Sequence, residues 1–238
     1  MRNWIIYILA GTALGGMARG DVILIRDLPG EEVRVLGDAA ETDRFFSPAS
    51  TFKMIVALAA FEQGIASPET QAECNDPFLP SRPMRLAFPE AMRHSSNEFF
   101  TPLFRRLTPE QLTEMAARCG FGRAEKAFLL PVEEFRHGGI FRITPRQQHD
   151  FMRRLALGEL PVSWRVQEEL KTVLEWPLEA KAEGRAYGKT GSWEKVYWFT
   201  GLRHFPGKTR LVTVLLTAPG STREKAIAAF LKHSALPE

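Results

Sequence analysis

"FSPASTFKMIVALAAFEQGI" runs from Phe46 to Ile65 and holds the pattern that decides the chain: Ser50, Lys53 three residues later, and an unbroken apolar run from Met54 to Phe61. The run predicts a helix over Phe52 to Gln63, stopped by Gly64, the residue type that most readily closes a helix. A helix without a polar face belongs in the interior, and Lys53 is carried inside with it. A charge among such residues is costly to desolvate unless it is paired or used. Three-residue spacing sets Ser50 on the same helical face. Serine is a poor nucleophile until a base accepts its proton, and a lysine whose pKa is lowered by burial can be that base. The helix start adds N–H groups and a positive dipole end, both suited to an oxyanion. Taken alone, the same spacing also describes an N-cap serine beside a lysine that snorkels to solvent.

Composition bounds the alternatives. A chain of 238 residues with 45% hydrophobic and 25% charged residues fits one large globular domain with a sizeable core. The net charge of +3 is mild and its 31 Lys and Arg are scattered, so the concentrated basic stripe of a nucleic-acid binder is missing. Met1-Arg2-Asn3, the uncharged run Trp4 to Leu14 and the small-x-small set Gly16-Met17-Ala18 read as a signal peptide over residues 1–18, which predicts an exported, secreted or periplasmic protein. The run is shorter than the ~20 residues of a spanning helix, so no membrane span is expected in the mature chain. Cys74 and Cys119 are compatible with one disulfide. The five histidines show no ligand spacing, so no metal is expected.

Residues 19–238 read as one domain. Val22 to Ile25 is a short β-branched run; Trp198 to Leu202 and Leu211 to Thr217 flank the turn Pro206-Gly207-Lys208 and predict an antiparallel hairpin; Ser221 to Leu231 predicts a closing helix. Thr108-Pro109-Glu110-Gln111 and Thr144-Pro145-Arg146-Gln147 each combine a capping Thr, a Pro at the first helical position and a Gln that closes a capping box. The fold class is therefore α/β of the α+β type: an antiparallel sheet assembled from both ends of the chain, flanked by helices, with a helical insertion over about residues 65–180.

Two further motifs support the chemical reading of Ser50 and Lys53. Ser95-Ser96-Asn97 is an S-x-N triplet, and Lys189-Thr190-Gly191 is a K-T-G triplet just ahead of the Trp198 strand. S-x-x-K, S-x-N and K-T-G in this order form the motif set of serine enzymes that react with penicillins. A phosphate-loop reading of Gly188-Lys189-Thr190 fails, because the first glycine would have to stand where Glu183 is.

With "SPASTFK", "FRHGGIFRITPRQQHDFMRRLALGELPVS", "YGKTGSW" and "WFTGLR", the chain resembles the class D, oxacillinase-type serine β-lactamases over most of its length after the leader. The resemblance implies Ser50 as nucleophile, Lys53 as base and Ser95 as proton shuttle. It implies Lys189 and Thr190 as binders of the substrate carboxylate, aided by Arg223, and an oxyanion hole from the backbone N–H groups of Ser50 and Ser192, the residue after Gly191. The sequence departs from the family twice. Asn97 stands where class D enzymes carry a hydrophobic residue, and Arg136 in Phe135-Arg136-His137-Gly138-Gly139 replaces a tryptophan that in the family supports a CO2-derived carbamate on the motif lysine; Phe141 would take that place in a shifted register. Arg136 would either repel the Lys53 ammonium or pair with its carbamate. The resulting expectation is a β-lactam-opening hydrolase that works through an acyl-serine, with slow deacylation. The alternatives are a DD-peptidase acting on peptidoglycan peptides, favoured by Asn97, and a non-catalytic penicillin sensor that stays acylated, favoured by Arg136. No cofactor other than the carbamate is expected.

Overall fold

The computed structural model describes residues 6–8, 20–124 and 141–236. Arg136 and nearly all of the expected leader lie outside them. Three strands from the C-terminal third lie side by side in a seven-stranded sheet: β9 (Arg185–Trp193), β10 (Val196–Phe205) and β11 (Lys208–Leu216). The hairpin predicted around Pro206 is β10–β11, with Trp198 opposite Leu215 and Leu202 opposite Leu211. The N-terminal strand β2 (Val22–Leu28) pairs antiparallel with β11, and β3 (Val33–Gly37) pairs with β2, so both ends of the chain do build one sheet. The order is β1-β3-β2-β11-β10-β9-β8, where β1 (Ile6–Ile8) lies parallel to β3 and β8 (Glu175–Trp176) borders β9.

Each face of the sheet is covered. Ile23, Ile25, Val212, Val214 and Phe199 turn toward the closing helix, which runs Arg223–Ser234, and Phe199 stacks on its Phe230 with centroids 4.0 Å apart. On the other face Val22, Leu24, Trp198, Leu211 and Leu215 join the larger core around α1 (Lys53–Glu62). Every residue of α1 from Lys53 to Phe61 is buried, as its all-round apolar sequence requires. Burying each of its larger side chains is worth roughly 1.5–3 kcal/mol. A 3-10 turn (Ala49–Phe52) precedes α1, and Gly64 after it adopts φ +65°.

The middle of the chain carries α2 (Phe88–His94), α3 (Asn97–Arg106), α4 (Pro109–Arg118), α5 (Pro145–Leu157) and α6 (Trp164–Val173), with the closing helix as α7. Both expected capping boxes form, Thr108 with Gln111 and Thr144 with Gln147. The expected helical insertion also contains β-structure: β4 (Gln71–Cys74) pairs with β5 (Met84–Ala87), and β6 (Arg123–Ala124) with β7 (Phe141–Arg142). These ribbons are too short to carry a periodic signal. Cys74 and Cys119 are separate, buried free thiols rather than a disulfide. Burial pushes the Cys119 thiol up to about 11.

Candidate active site

The turn that carries Ser50 is held from several sides. Trp198 on β10 donates its indole N–H to the Ser47 carbonyl at 2.8 Å. Thr51 donates its hydroxyl to the Pro48 carbonyl at 2.7 Å and accepts from the Gln148 amide of α5, also at 2.7 Å. Ala49, directly before Ser50, has φ +47°, a left-handed conformation that costs free energy in a non-glycine residue and persists because its surroundings determine it. Ser50 therefore sits half-exposed on a constrained bend while Lys53, one residue into α1, is 1% exposed.

Lys53 Nζ donates to Ser50 Oγ at 3.2 Å and to Asn97 Oδ1 at 2.9 Å, and lies 5.5 Å from the ring centroid of Phe100. Asn97 begins α3. Ser95, which ends α2, adopts φ +62°, and Ser96 between them caps α3 by accepting the Phe99 N–H. The S-x-N triplet is thus the joint between two helices. From this joint Ser95 Oγ accepts a hydrogen bond from Lys189 Nζ at 2.9 Å, and Lys189 also donates to the Thr190 carbonyl at 2.9 Å.

Lys189, Thr190 and Gly191 lie inside β9, paired with Thr200, Phe199 and Trp198 of β10. No strand was expected there, because Gly188 and Gly191 depress β propensity; pairing with β10 overrides that local preference. Gly191 marks where β9 crosses the Ser50 turn. A Cβ there would lie 2.8 Å from the Pro48 carbonyl oxygen and 3.1 Å from Thr51 Cγ2, so only glycine admits this approach. Arg223, at the start of α7, donates to Thr190 Oγ1 at 3.2 Å and to the Arg93 carbonyl at 3.1 Å.

These side chains open on one cleft of about 430 Å³, lined by Ser50, Ser95, Asn97, Thr190, Ser192 and Arg223 together with Phe78, His94 and Trp193. Complete burial, and then the nearby charges of Lys53 and Arg223, hold the Lys189 pKa well below the ordinary lysine range. Burial also lowers Arg223. His94 is lowered by burial and by Arg93, which favours its neutral form. The cleft thus has basic side chains, Arg223 and behind it Lys189, under a mouth with two exposed aromatics, Phe78 at 53% and Trp193 at 42%. Such a lining favours a carboxylate-bearing molecule. Among the described residues no cluster of His, Cys, Asp and Glu has metal-ligand geometry.

Of the expected site residues, Ser50, Ser95, Asn97, Thr190, Ser192 and Arg223 line this cleft, Lys53 and Lys189 lie buried behind it in contact with Ser50, Asn97 and Ser95, and Gly191 lies against the turn of Ser50. Phe78, His94 and Trp193 were missed. Trp193 follows Ser192 immediately and could have been included by extending the K-T-G motif; Phe78, in an irregular Asn75-Asp76-Pro77 segment, carries no comparable signal.

The fold has many solved counterparts. The class D β-lactamase FUS-1 (OXA-85) from Fusobacterium nucleatum subsp. polymorphum superposes with a TM-score of 0.75 at 22% identity, over 90% of this chain and 91% of that one. The class D β-lactamase YbXI from Nostoc gives 0.74 at 23%, over 89% and 90%, and BPu1 β-lactamase gives 0.77 at 19%, over 90% and 91%. The family model described as the penicillin binding protein transpeptidase domain matches residues 33–233, a span that takes in the Ser50 turn, the helix joint, β9 and most of α7. The chain belongs to the penicillin-binding-protein transpeptidase family and has a class D β-lactamase-like fold.

Proposed function

We propose that the protein is an exported serine hydrolase that opens β-lactams through an acyl-Ser50 intermediate. The observation that carries this reading is the convergence of Ser50, Lys53, Asn97, Ser95 and Lys189 through contacts of 2.9 to 3.2 Å at the wall of a single cleft. The substrate carboxylate would lie against Lys189, Thr190 and Arg223. Its negative charge offsets the mutual repulsion of the cations there. Ser50 Oγ would attack the lactam carbonyl carbon while its proton passes to neutral Lys53. The oxyanion would form at the Ser50 and Ser192 N–H groups. As the ring C–N bond breaks, Ser95, held by Lys189, would hand a proton to the departing nitrogen. Water would then cleave the ester and free the Ser50 hydroxyl.

The surroundings of Lys53 fit a free amine better than a carbamate. A carbamate nitrogen keeps a single proton, whereas Nζ faces acceptor oxygens on both Ser50 and Asn97. The new carboxylate oxygens would also crowd the Asn97 carbonyl. Lys53 thus serves as an amine in this reading, and deacylation lacks the carbamate base, so release is slow. The same contact of Asn97 favours a second reading, a DD-peptidase acting on peptidoglycan peptides by the same acyl-serine chemistry.

Intact-mass spectrometry after addition of a penicillin tests these readings. A transient adduct on Ser50 is the expected result, with bicarbonate giving little acceleration of its loss. A permanent adduct would point to the peptidase or to a sensor, and absence of any adduct would overturn the acyl-serine reading.

A further inference from the structure

Asp76 is 2% exposed, lies just after β4 and belongs to none of the three motifs. Its carboxylate is turned onto the joint between α2 and α3. Oδ2 accepts a hydrogen bond from the Ser96 hydroxyl, and Oδ1 accepts the backbone N–H of Asn97 at 2.8 Å and of Glu98 at 3.3 Å. Ser96, wholly buried, in turn accepts the Phe99 N–H at 3.0 Å. Three consecutive N–H groups at the start of α3 are thus satisfied by one carboxylate and one serine. Glu98 reaches back to the Asn75 N–H at 2.7 Å, which ties the same segment from outside.

Only Ser95 and Ser96 separate α2 from α3, and Ser95 holds a left-handed backbone. Left unanchored, a two-residue joint of that kind would let α3 swing relative to α2. Its two outer side chains have divergent tasks: Ser95 meets Lys189, and Asn97 meets Lys53. Both directions depend on the orientation of the intervening Ser96 peptide, and that is the group Asp76 grips. We infer that Asp76 is a positioning residue for the Ser50 reaction, a buried clamp that aims Ser95 and Asn97 at the two lysines. A carboxylate suits the task because it only accepts, and all three groups facing it donate. An amide would turn an NH2 group toward the Ser96 hydroxyl or the two N–H groups, and at least one donor would lose its partner.

The inference rests on the acyl-serine reading, and its test separates the two. Asp76→Asn, Ser96→Ala and the wild type are compared for the rate at which saturating penicillin acylates Ser50, and for labelling of Ser50 by a small fluorophosphonate, which needs only an activated serine. The control is Arg210→Ala, which breaks the Arg210–Asp27 pair at the turn end of the β10–β11 hairpin and lowers stability away from the cleft. Asp76→Asn is expected to slow both reactions by about tenfold or more, the scale of loss for a misaimed catalytic group, while the half-saturating penicillin concentration changes by less than about threefold. Ser96→Ala should move both rates in the same direction and serves as the test if Asp76→Asn does not fold. Arg210→Ala should leave them near wild type at a comparable loss of melting temperature. Folded Asp76→Asn reacting at the wild-type rate, or no faster a decline than the Arg210→Ala control shows, overturns the inference. A wild type labelled by the fluorophosphonate but inert to penicillin overturns the substrate reading and leaves the comparison of variants standing. A wild type inert to both overturns the two together.

Discussion

Removing the Ser50 hydroxyl deletes one hydrogen bond to Lys53 and leaves the backbone of the nucleophile turn intact, so Ser50→Ala should cost about 1 kcal/mol of stability at most and abolish the penicillin adduct. An adduct that survives in that variant would falsify the assignment of the nucleophile. Lys53→Met separates chemistry from folding more sharply. A buried amine is replaced by an apolar chain of similar length, so the fold should be retained while acylation is lost. Retained acylation would reduce Lys53 to a buried structural charge. Gly191→Ala tests the close crossing of β9. Its methyl meets the Pro48 carbonyl at 2.8 Å, and relieving such overpacking typically costs about 1–3 kcal/mol, with slower acylation as β9 moves away from Ser50. Unchanged acylation with full stability would show that the approach is not needed. Ser50, Lys53, Asn97 and Lys189 were legible in the sequence because covalent spacing and motif order survive folding. Asp76 was not, because its role is defined by three donors that only the fold brings to it.

The elements around the cleft differ in how they hold their side chains. The rim residues Phe78 and Trp193 stand on an irregular segment and at the end of a strand, exposed although large and apolar. Aromatic faces so placed are suited to pack against an apolar acyl side chain of the substrate. Phe78→Ala and Trp193→Ala are therefore expected to weaken capture of a penicillin with a benzyl side chain several-fold, and to affect 6-aminopenicillanic acid, which has no acyl side chain, much less. Equal effects on both compounds would deny the aromatics this role. At this scale α1, α4, α5 and the β10–β11 hairpin were legible from an apolar run, two capping boxes and a turn. β9 was not, since two glycines mask its strand character, nor were the two-residue strands, which owe their existence to their partners.

Across the whole molecule, the sheet and α5 enclose a polar contact that sets a pH limit. His149 is fully buried, with Nδ1 3.2 Å from Thr213 Oγ1, and Thr213 in turn contacts Thr200 at 2.9 Å. Burial, then Arg26, Arg146 and Arg153, hold its pKa well below the ordinary histidine value, so the folded protein keeps it neutral. Above pH about 6.5 neither the folded nor the unfolded state protonates this group; below it the unfolded chain takes up a proton that the native state refuses, and stability falls by up to about 1.4 kcal/mol per pH unit. Urea midpoints measured between pH 7.5 and 5 should decline, and His149→Gln should flatten that decline; a decline of the same steepness in the variant would assign it to other groups. The placement of β9 has a separate consequence. β8 borders it only at Ala186 and Tyr187, so along its outer side from Lys189 onward no further strand is paired among the described residues. An open strand edge is ordinarily an invitation to aggregate. Here the Ser50 turn lies close against Gly191, and the α2–α3 joint meets Lys189 through Ser95, so both stand beside this stretch of the strand. The segment that brings Ser50 to the cleft thus also crowds a strand edge that would otherwise lie open to a second copy of the chain.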